Sequence, residues 1–330
     1  MMNVKCLVLS KVHKSQSLIA LFMLLTSGYV QAQAYPTKPV RLLVGFAPGG
    51  STDVVARLLA QKLTESLAHI VVVENRGGAN TAIATEAAAR AAPDGYTLII
   101  NAAGHVTNPS LMKLNFDAVR DFAFISLLTE SQNLLVTHPS FPARTVKELI
   151  AFSKARPGQI NFASQGTGSS GHLTGELFQF MAGVRWLHVP YKGAGPAVID
   201  LIAGHTSLAF PNMPAVLPHA RGGKLRALAV SGARRSNAAP EIPTIAEGGL
   251  AGFDVTNWFG LAAPAKTPRA IIERLHADTV RALKSPELRD SLMKSGADPV
   301  GNTPEQYAAF IQEEIAKWAR VIKAAGIKGP

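Results

Sequence analysis

Val40-Arg41-Leu42-Leu43-Val44-Gly45-Phe46 runs directly into Ala47-Pro48-Gly49-Gly50-Ser51-Thr52-Asp53, and these two pieces decide the fold. The first is short, apolar and rich in branched side chains, which reads as a strand buried on both faces. The second holds a proline, two glycines and three residues of the cap-forming type, which reads as a tight loop opening a helix. A helix then follows over about 52–67, with Val54, Val55, Leu58, Leu59 and Leu63 on one side. Strand, glycine loop and helix form the unit from which parallel α/β sheets are built.

The unit recurs along the chain. Residues 70–73 give a second strand, about 81–91 an alanine-rich helix, and 97–100 a third strand after the turn Pro93-Asp94-Gly95. Thr145-Val146-Lys147-Glu148 is a capping box whose helix stops before Pro157-Gly158. Then come a strand at 160–163, a loop rich in glycine and serine, and a helix to 181 with Gly183 as its stop. Further strands fall at 185–189, 208–210 and 226–230. Thr303-Pro304-Glu305-Gln306 is a second capping box with proline at the first helical position. Tyr307, Phe310, Ile311, Ile315, Trp318 and Ile322 then share one helical face, which predicts core packing. The alternation predicts an α/β protein with mostly parallel sheets, and at about 150 residues per domain the length suggests two domains.

The N-terminus carries Lys5, Lys11 and Lys14, the apolar run LIALFMLL at 18–25, and then Ala32-Gln33-Ala34. Positive, apolar and small-residue regions in that order make 1–34 a cleavable secretory signal peptide, and the mature protein is expected in the periplasm. The apolar run is too short for a span, which needs about 20 residues. Cleavage leaves 330 − 34 = 296 residues and removes Cys6, the only cysteine. A chain this long buries enough surface to fold without disulfides. Loss of three lysines takes the net charge from +11 to 11 − 3 = +8. The basic residues are scattered, and Arg234-Arg235 is their only adjacent pair in the mature chain. Nucleic acid is therefore not expected as a partner, while a diffuse positive field favours small anions.

In open α/β sheets ligands lie beyond the carboxyl ends of strands, so the loops after strands are the candidate site. Gly49, Gly50, Ser51 and Thr52 combine close backbone approach, helix N-terminal amides and hydroxyls, which suits a carboxylate. The alternative is a plain turn in which Ser51 or Thr52 caps the helix and Asp53 favours its dipole. The loop Ser164-Gln165-Gly166-Thr167-Gly168-Ser169-Ser170-Gly171-His172 again joins strand to helix. Its Gly166, Gly168 and Gly171 fit G-x-G-x-x-G, but the next strand lacks the acid that a dinucleotide site needs. His172, two residues after Ser170, does not face it on a helix, which argues against a hydrolase. Val189-Pro190-Tyr191-Lys192-Gly193, residues 101–108 and Phe210-Pro211-Asn212 also follow strands. The histidines show no metal-binding spacing, and acids are sparse in these loops, so no metal or cofactor is expected. A secreted hydrolase at Ser170 and His172, or a dehydrogenase at Gly166–Gly171, stands as the alternative to a binding protein.

Several stretches together resemble one family. They are VGFAPGGSTDVVARLLAQKL from 44, VVVENRGG from 71, APDGYTL from 92, NFASQGTGSSGHLTGELF from 161, HVPYKGAGPAV from 188, LRALAVSGARRS from 225, and EIPTIAEGGLAGF from 241 with WFGLAAPAKTP from 258. In this order and across the whole mature chain they are similar to the Bug family, the solute-binding components of tripartite tricarboxylate transporters. The resemblance implies a periplasmic binding protein-like fold of two α/β domains with a ligand cleft between them. It implies domain 1 over 35–135 plus 257–330, domain 2 over 136–256, and a hinge near 131–133 and 256–258. It further implies that Gly49, Gly50, Ser51, Thr52 and, more loosely, His105 hold a carboxylate from one side. Ser164, Thr167, Ser169, Ser170, Tyr191 and the Asn212 loop would hold it from the other. A monomer is expected, serving membrane permease subunits or a membrane sensor. Two departures stand out. Members often read E-N-R-P-G-A-G-G-N, where this chain has Glu74-Asn75-Arg76-Gly77-Gly78-Ala79-Asn80-Thr81-Ala82. Many read F-D-N, where it has Phe210-Pro211-Asn212. The lost acid turns the expectation away from amino acids and toward a plain aliphatic or aromatic carboxylate.

Overall fold

The computed structural model describes residues 35–324, 326, 327 and 329; the signal peptide expected at 1–34 lies outside them. In chain order the described residues form β1 (Val40–Val44), α1 (Ser51–Leu67), β2 (Val71–Asn75), α2 (Ala82–Ala89), β3 (Thr97–Asn101), α3 (Ala103–Leu111), β4 (Phe122–Gln132), β5 (Leu134–Thr137), α4 (Val146–Lys154), β6 (Asn161–Ser164), α5 (Ser170–Ala182), β7 (Leu187–Pro190), α6 (Ala194–Ile202), β8 (Leu208–Ala209), α7 (Met213–Arg221), β9 (Arg226–Val230), β10 (Thr256–Pro264), α8 (Arg269–Lys284), α9 (Pro286–Ser295), β11 (Ala297–Pro299) and α10 (Pro304–Ala324).

These strands make two sheets, one ordered β11-β4-β10-β3-β1-β2 and the other β7-β6-β8-β5-β9. The α/β class with two sheets is as expected, but the strands are less parallel than the alternation predicted. β1 runs parallel to β2 and β3, whereas β10 lies antiparallel to both β3 and β4. The reason is the path of the chain. It leaves the first sheet along β4, reaches β5 of the second after Asn133, and returns along β10. An outgoing and a returning strand that lie side by side must oppose each other, and they pair from Thr256↔Gln132 to Pro264↔Phe122.

Local signals place the helix ends. At α4, the Glu148 N–H donates to Thr145 Oγ1 at 3.1 Å, and the Glu148 carboxylate reaches back to the Arg144 N–H at 2.7 Å. That is one residue beyond the usual partner of a capping box. At α10 the box is fully reciprocal, between Thr303 and Gln306 at 3.2 and 3.0 Å. Gly183 ends α5 with φ 63°, the left-handed stop that glycine adopts without strain.

The apolar face of α10 packs against the first sheet, with Tyr307 and Ile311 fully buried. The indole N–H groups of Trp258 and Trp318 both donate to the buried Glu314 carboxylate, at 3.2 and 3.0 Å. A buried charge is tolerated when it is satisfied in this way. β10 carries Gly260 at a register shift, beneath the Tyr307 ring. A Cβ at Gly260 would overlap the phenol of Tyr307, which is buried and has no room to yield. Gly260→Ala is therefore expected to lower the unfolding free energy by about 3 kcal/mol. Urea melts of the two proteins check this, and equal midpoints would contradict it.

Candidate functional site

A cavity lies where the carboxyl ends of the strands of both sheets meet. Gly50, Ser51 and Thr52 enter it after β1, Ala102 and Ala103 after β3, Ser169 and Ser170 after β6, Ala194 after β7, and Asn212 after β8. Each of these positions is also a helix start. The N-terminal ends of α1, α3, α5, α6 and α7 thus share one cavity wall. The first N–H groups of a helix have no partner within it, and the dipole places partial positive charge there. At α1, α3 and α6 no side chain caps those amides, and at α7 the cap residue Asn212 makes no such bond, although Ser51 Oγ takes the Ala215 N–H. Only at α5 does a cap form, with Ser169 Oγ accepting from the His172 N–H. No charged side chain lines the cavity among the described residues. The amide nitrogens Nδ2 of Asn212 and Asn257, both buried and both on cavity-lining residues, lack a hydrogen-bond partner. The arrangement is a set of fixed donors, neutral in formal charge and suited to an oxyanion.

The α1 loop is locked from behind. Asp53 is buried and accepts from the Gly49 N–H at 3.0 Å, from Arg57 Nε at 2.9 Å and from Asn75 Nδ2 at 2.9 Å. Burial pushes its carboxyl up, but these donors outweigh burial and hold it below the usual aspartate range. Asp53 therefore braces the glycine loop rather than merely favouring the dipole. Ser51 Oγ spans the two sheets, donating to the Asn212 carbonyl at 3.3 Å and accepting from the Ala215 N–H at 3.2 Å. Two more bonds cross the cleft: Thr107 Oγ1 to the Gly168 carbonyl at 3.0 Å, and the Ala47 N–H to the Lys192 carbonyl at 2.9 Å.

Of the residues expected from sequence, Gly50, Ser51, Thr52, Ser169, Ser170 and Asn212 line this cavity. Thr167 and Tyr191 line a neighbouring one, which shares Phe46 and Gln165 with the first. The Tyr191 hydroxyl donates to Asp200 at 2.6 Å. Gly49, Ser164 and His105 line neither. The ring of His105 is turned into the core of the first sheet, against the edge of Phe122 at 4.8 Å. Its Nε2–H donates to the Ala118 carbonyl at 2.7 Å, and Nδ1 accepts from Asn101 at 2.8 Å. Burial lowers its pKa to about 4. Ser164 Oγ instead contacts His188 Nε2, at 2.6 Å. Ser170 and His172 form no nucleophile–base pair: Ser170 Oγ accepts from Asn133 at 2.9 Å, and His172 Nδ1 accepts from the Gly168 N–H at 3.0 Å.

Sequence reasoning missed Asn257 and Gln165. Gln165 lay within the quoted loop, and its side chain ties that loop together, accepting from Ser169 Oγ and the Gly171 N–H and donating to Asn212. Asn212 with Pro214 just inside α7 was a readable helix start. Asn257 sits in a strand without any local signal. The departure at 77–82 has a structural counterpart. Ala79, Asn80 and Thr81 all have positive φ, at 45°, 46° and 75°. Thr81, β-branched, is costly there. Asn80 offsets this in part by donating to Thr107 Oγ1 and Asn108 Oδ1 at 3.2 and 3.0 Å.

Two α/β lobes with helix N-termini gathered at the cleft between them define the periplasmic binding protein-like class of fold. Within it, the chain belongs to the family described as tripartite tricarboxylate transporter family receptor, which matches residues 55–327. It is 42% identical over 302 residues to protein BugT of Bordetella pertussis, covering 91% of this chain and 93% of that one. Among solved structures it is similar to an R. palustris protein with adipate, at 37% identity and TM-score 0.87, covering 90% of this chain and all (100%) of that one. It is also similar to MatC from Rhodopseudomonas palustris with bound malate, at 34% identity and TM-score 0.83, covering 87% and 100% of the two chains.

Proposed function

We propose that the mature chain is a periplasmic receptor that captures a small carboxylate-bearing solute between its lobes, performs no reaction on it, and presents it to membrane permease subunits. One observation carries this reading: five helix N-termini, three of them without any side-chain partner for their amides, share a cavity with no charged side chain. A carboxylate satisfies such donors, whereas an ammonium group would find no counter-charge there. The solute class is thus a plain carboxylate, and adipate and malate, held by the two R. palustris relatives, are the first to try. Domain 1 is assigned to 35–133 plus 257–330 and domain 2 to 134–256, two residues short of the bound expected at 135, because β5 begins at Leu134 and pairs within the second sheet. The hinge lies where β4 leaves the first sheet and β10 enters it, at 131–133 and 256–258. Closing about it would bury the solute and create the face that a permease reads.

Asn257→Asp tests the charge argument. It keeps the side-chain shape but puts an acid against the cavity. Adipate affinity is expected to fall by roughly 100-fold, since like charges in a dry site cost several kcal/mol. Calorimetric titration of both proteins checks this, and an unchanged affinity would show that the solute carboxylate does not lie near Asn257.

A further inference from the structure

Beneath the second lobe's cavity loop lie two stacked imidazoles that take no part in the cavity wall. His172 and His188 have ring centroids 4.0 Å apart at 27°, and both pack on Phe162. Each grips one end of the loop. His188 Nε2 meets Ser164 Oγ at 2.6 Å, and that hydroxyl also accepts from the Gly166 N–H at 3.1 Å. His172 Nδ1 accepts from the Gly168 N–H at 3.0 Å. The next two residues, Ser169 and Ser170, line the cavity. The Gly168 carbonyl accepts Thr107 Oγ1 from the first lobe.

Gly168 is a point of close approach between the lobes. Its φ is 80°, and a Cβ there would lie 2.9 Å from Asn80 Nδ2 of the first lobe. Its two peptide groups are thus fixed from opposite sides, the N–H by His172 and the C=O by Thr107. The ring can accept only while Nδ1 is unprotonated. Burial, and then the neighbouring His188, hold the His172 pKa down to about 3, so it is neutral at neutral pH. The other ring nitrogen, Nε2, faces Glu176 on the same helix at 3.7 Å, which favours the tautomer with the proton on Nε2.

We propose that His172 is a positioning residue of the solute site: its Nδ1 takes up the Gly168 N–H and so sets the peptide that joins the two lobes and leads into Ser169 and Ser170. The inference rests on the cavity being the solute site. It separates from a general packing role because Asn and Gln differ in reach. An Asn oxygen falls close to where Nδ1 lies, and a Gln oxygen falls one bond farther out.

The test uses the mature wild-type protein with His172→Asn, His172→Gln and His172→Leu, titrated calorimetrically with adipate and malate. His172→Asn is expected to stay within about threefold of wild type. His172→Gln and His172→Leu, which strand a buried N–H, are expected to weaken binding at least about tenfold. Equal losses in Asn and Leu, or wild-type affinity in Leu, would overturn the proposal. If His172→Leu fails to fold, the Asn–Gln contrast carries the same decision. Hydrogen exchange of the Gly168 amide without solute gives an independent readout: protected in wild type and Asn, exposed in Gln and Leu. If wild type binds neither probe, it is the assignment of these solutes that fails, and the exchange pattern still decides the role of His172.

Discussion

Ser51→Pro is expected to abolish solute binding while leaving the protein folded. Ser51 is the first helical residue of α1, with Gly50 as its N-cap. Proline is favoured at this position because its missing N–H has no helical partner anyway. The residue before proline must be extended, and Gly50 already has φ −86° and ψ 170°. The fold thus loses little. The site loses a backbone donor at the cavity wall, and also the hydroxyl that bridges to Asn212 and Ala215 across the cleft. Two such losses in a buried setting, at about 1–3 kcal/mol each, predict a fall in affinity of roughly 100-fold or more. Calorimetric titration checks the affinity and circular dichroism the fold. A folded variant with wild-type affinity would remove the α1 loop from the site.

Mild acid is expected to destabilise the protein steeply. Burial lowers the pKa of His105 to about 4, of His172 to about 3 and of His188 to about 4. In the unfolded chain each returns to about 6.5. The folded values lie below the unfolded ones, so the unfolded chain takes up protons first as the pH falls. Stability is complete above about pH 6.5 and is lost progressively from there toward pH 4. Each group contributes a slope of up to about 1.4 kcal/mol per pH unit. Glu130, Glu176 and Asp298, whose pKa values burial raises, act in the opposite direction and offset part of the loss. A net loss of about 3 kcal/mol between pH 7 and pH 5 is expected from urea melts. A midpoint constant over that range would mean that these rings are not held neutral.

The parts of the fold legible in the sequence are those set by near neighbours. β1, the glycine loop and α1 were readable from apolar periodicity, both capping boxes from their residue spacing, and the end of α5 from Gly183. β9 fell at Arg226–Val230 as read. The long strands β4 and β10 were not found, because what makes them one unit is pairing across more than 120 residues of chain, which leaves no local pattern. The site was half legible for a related reason. α3 and α6 begin at Ala103 and Ala194, with no side chain to cap them. The missing cap removes the usual sequence mark of a helix start, and it also leaves the first amides without a side-chain partner. Local chemistry marked Ser51, Thr52, Ser169 and Ser170, whereas Asn257 and the cross-cleft bonds depend on tertiary placement.

The most direct test of the central claim is calorimetric titration of the mature protein with adipate, malate and aspartate, followed by recovery and chemical analysis of the solute. The account predicts that a plain dicarboxylate binds at one site per chain and is recovered unchanged, and that aspartate, carrying an ammonium group into a cavity without an acid, binds far more weakly. A solute that is consumed, or a preference for aspartate, would contradict it.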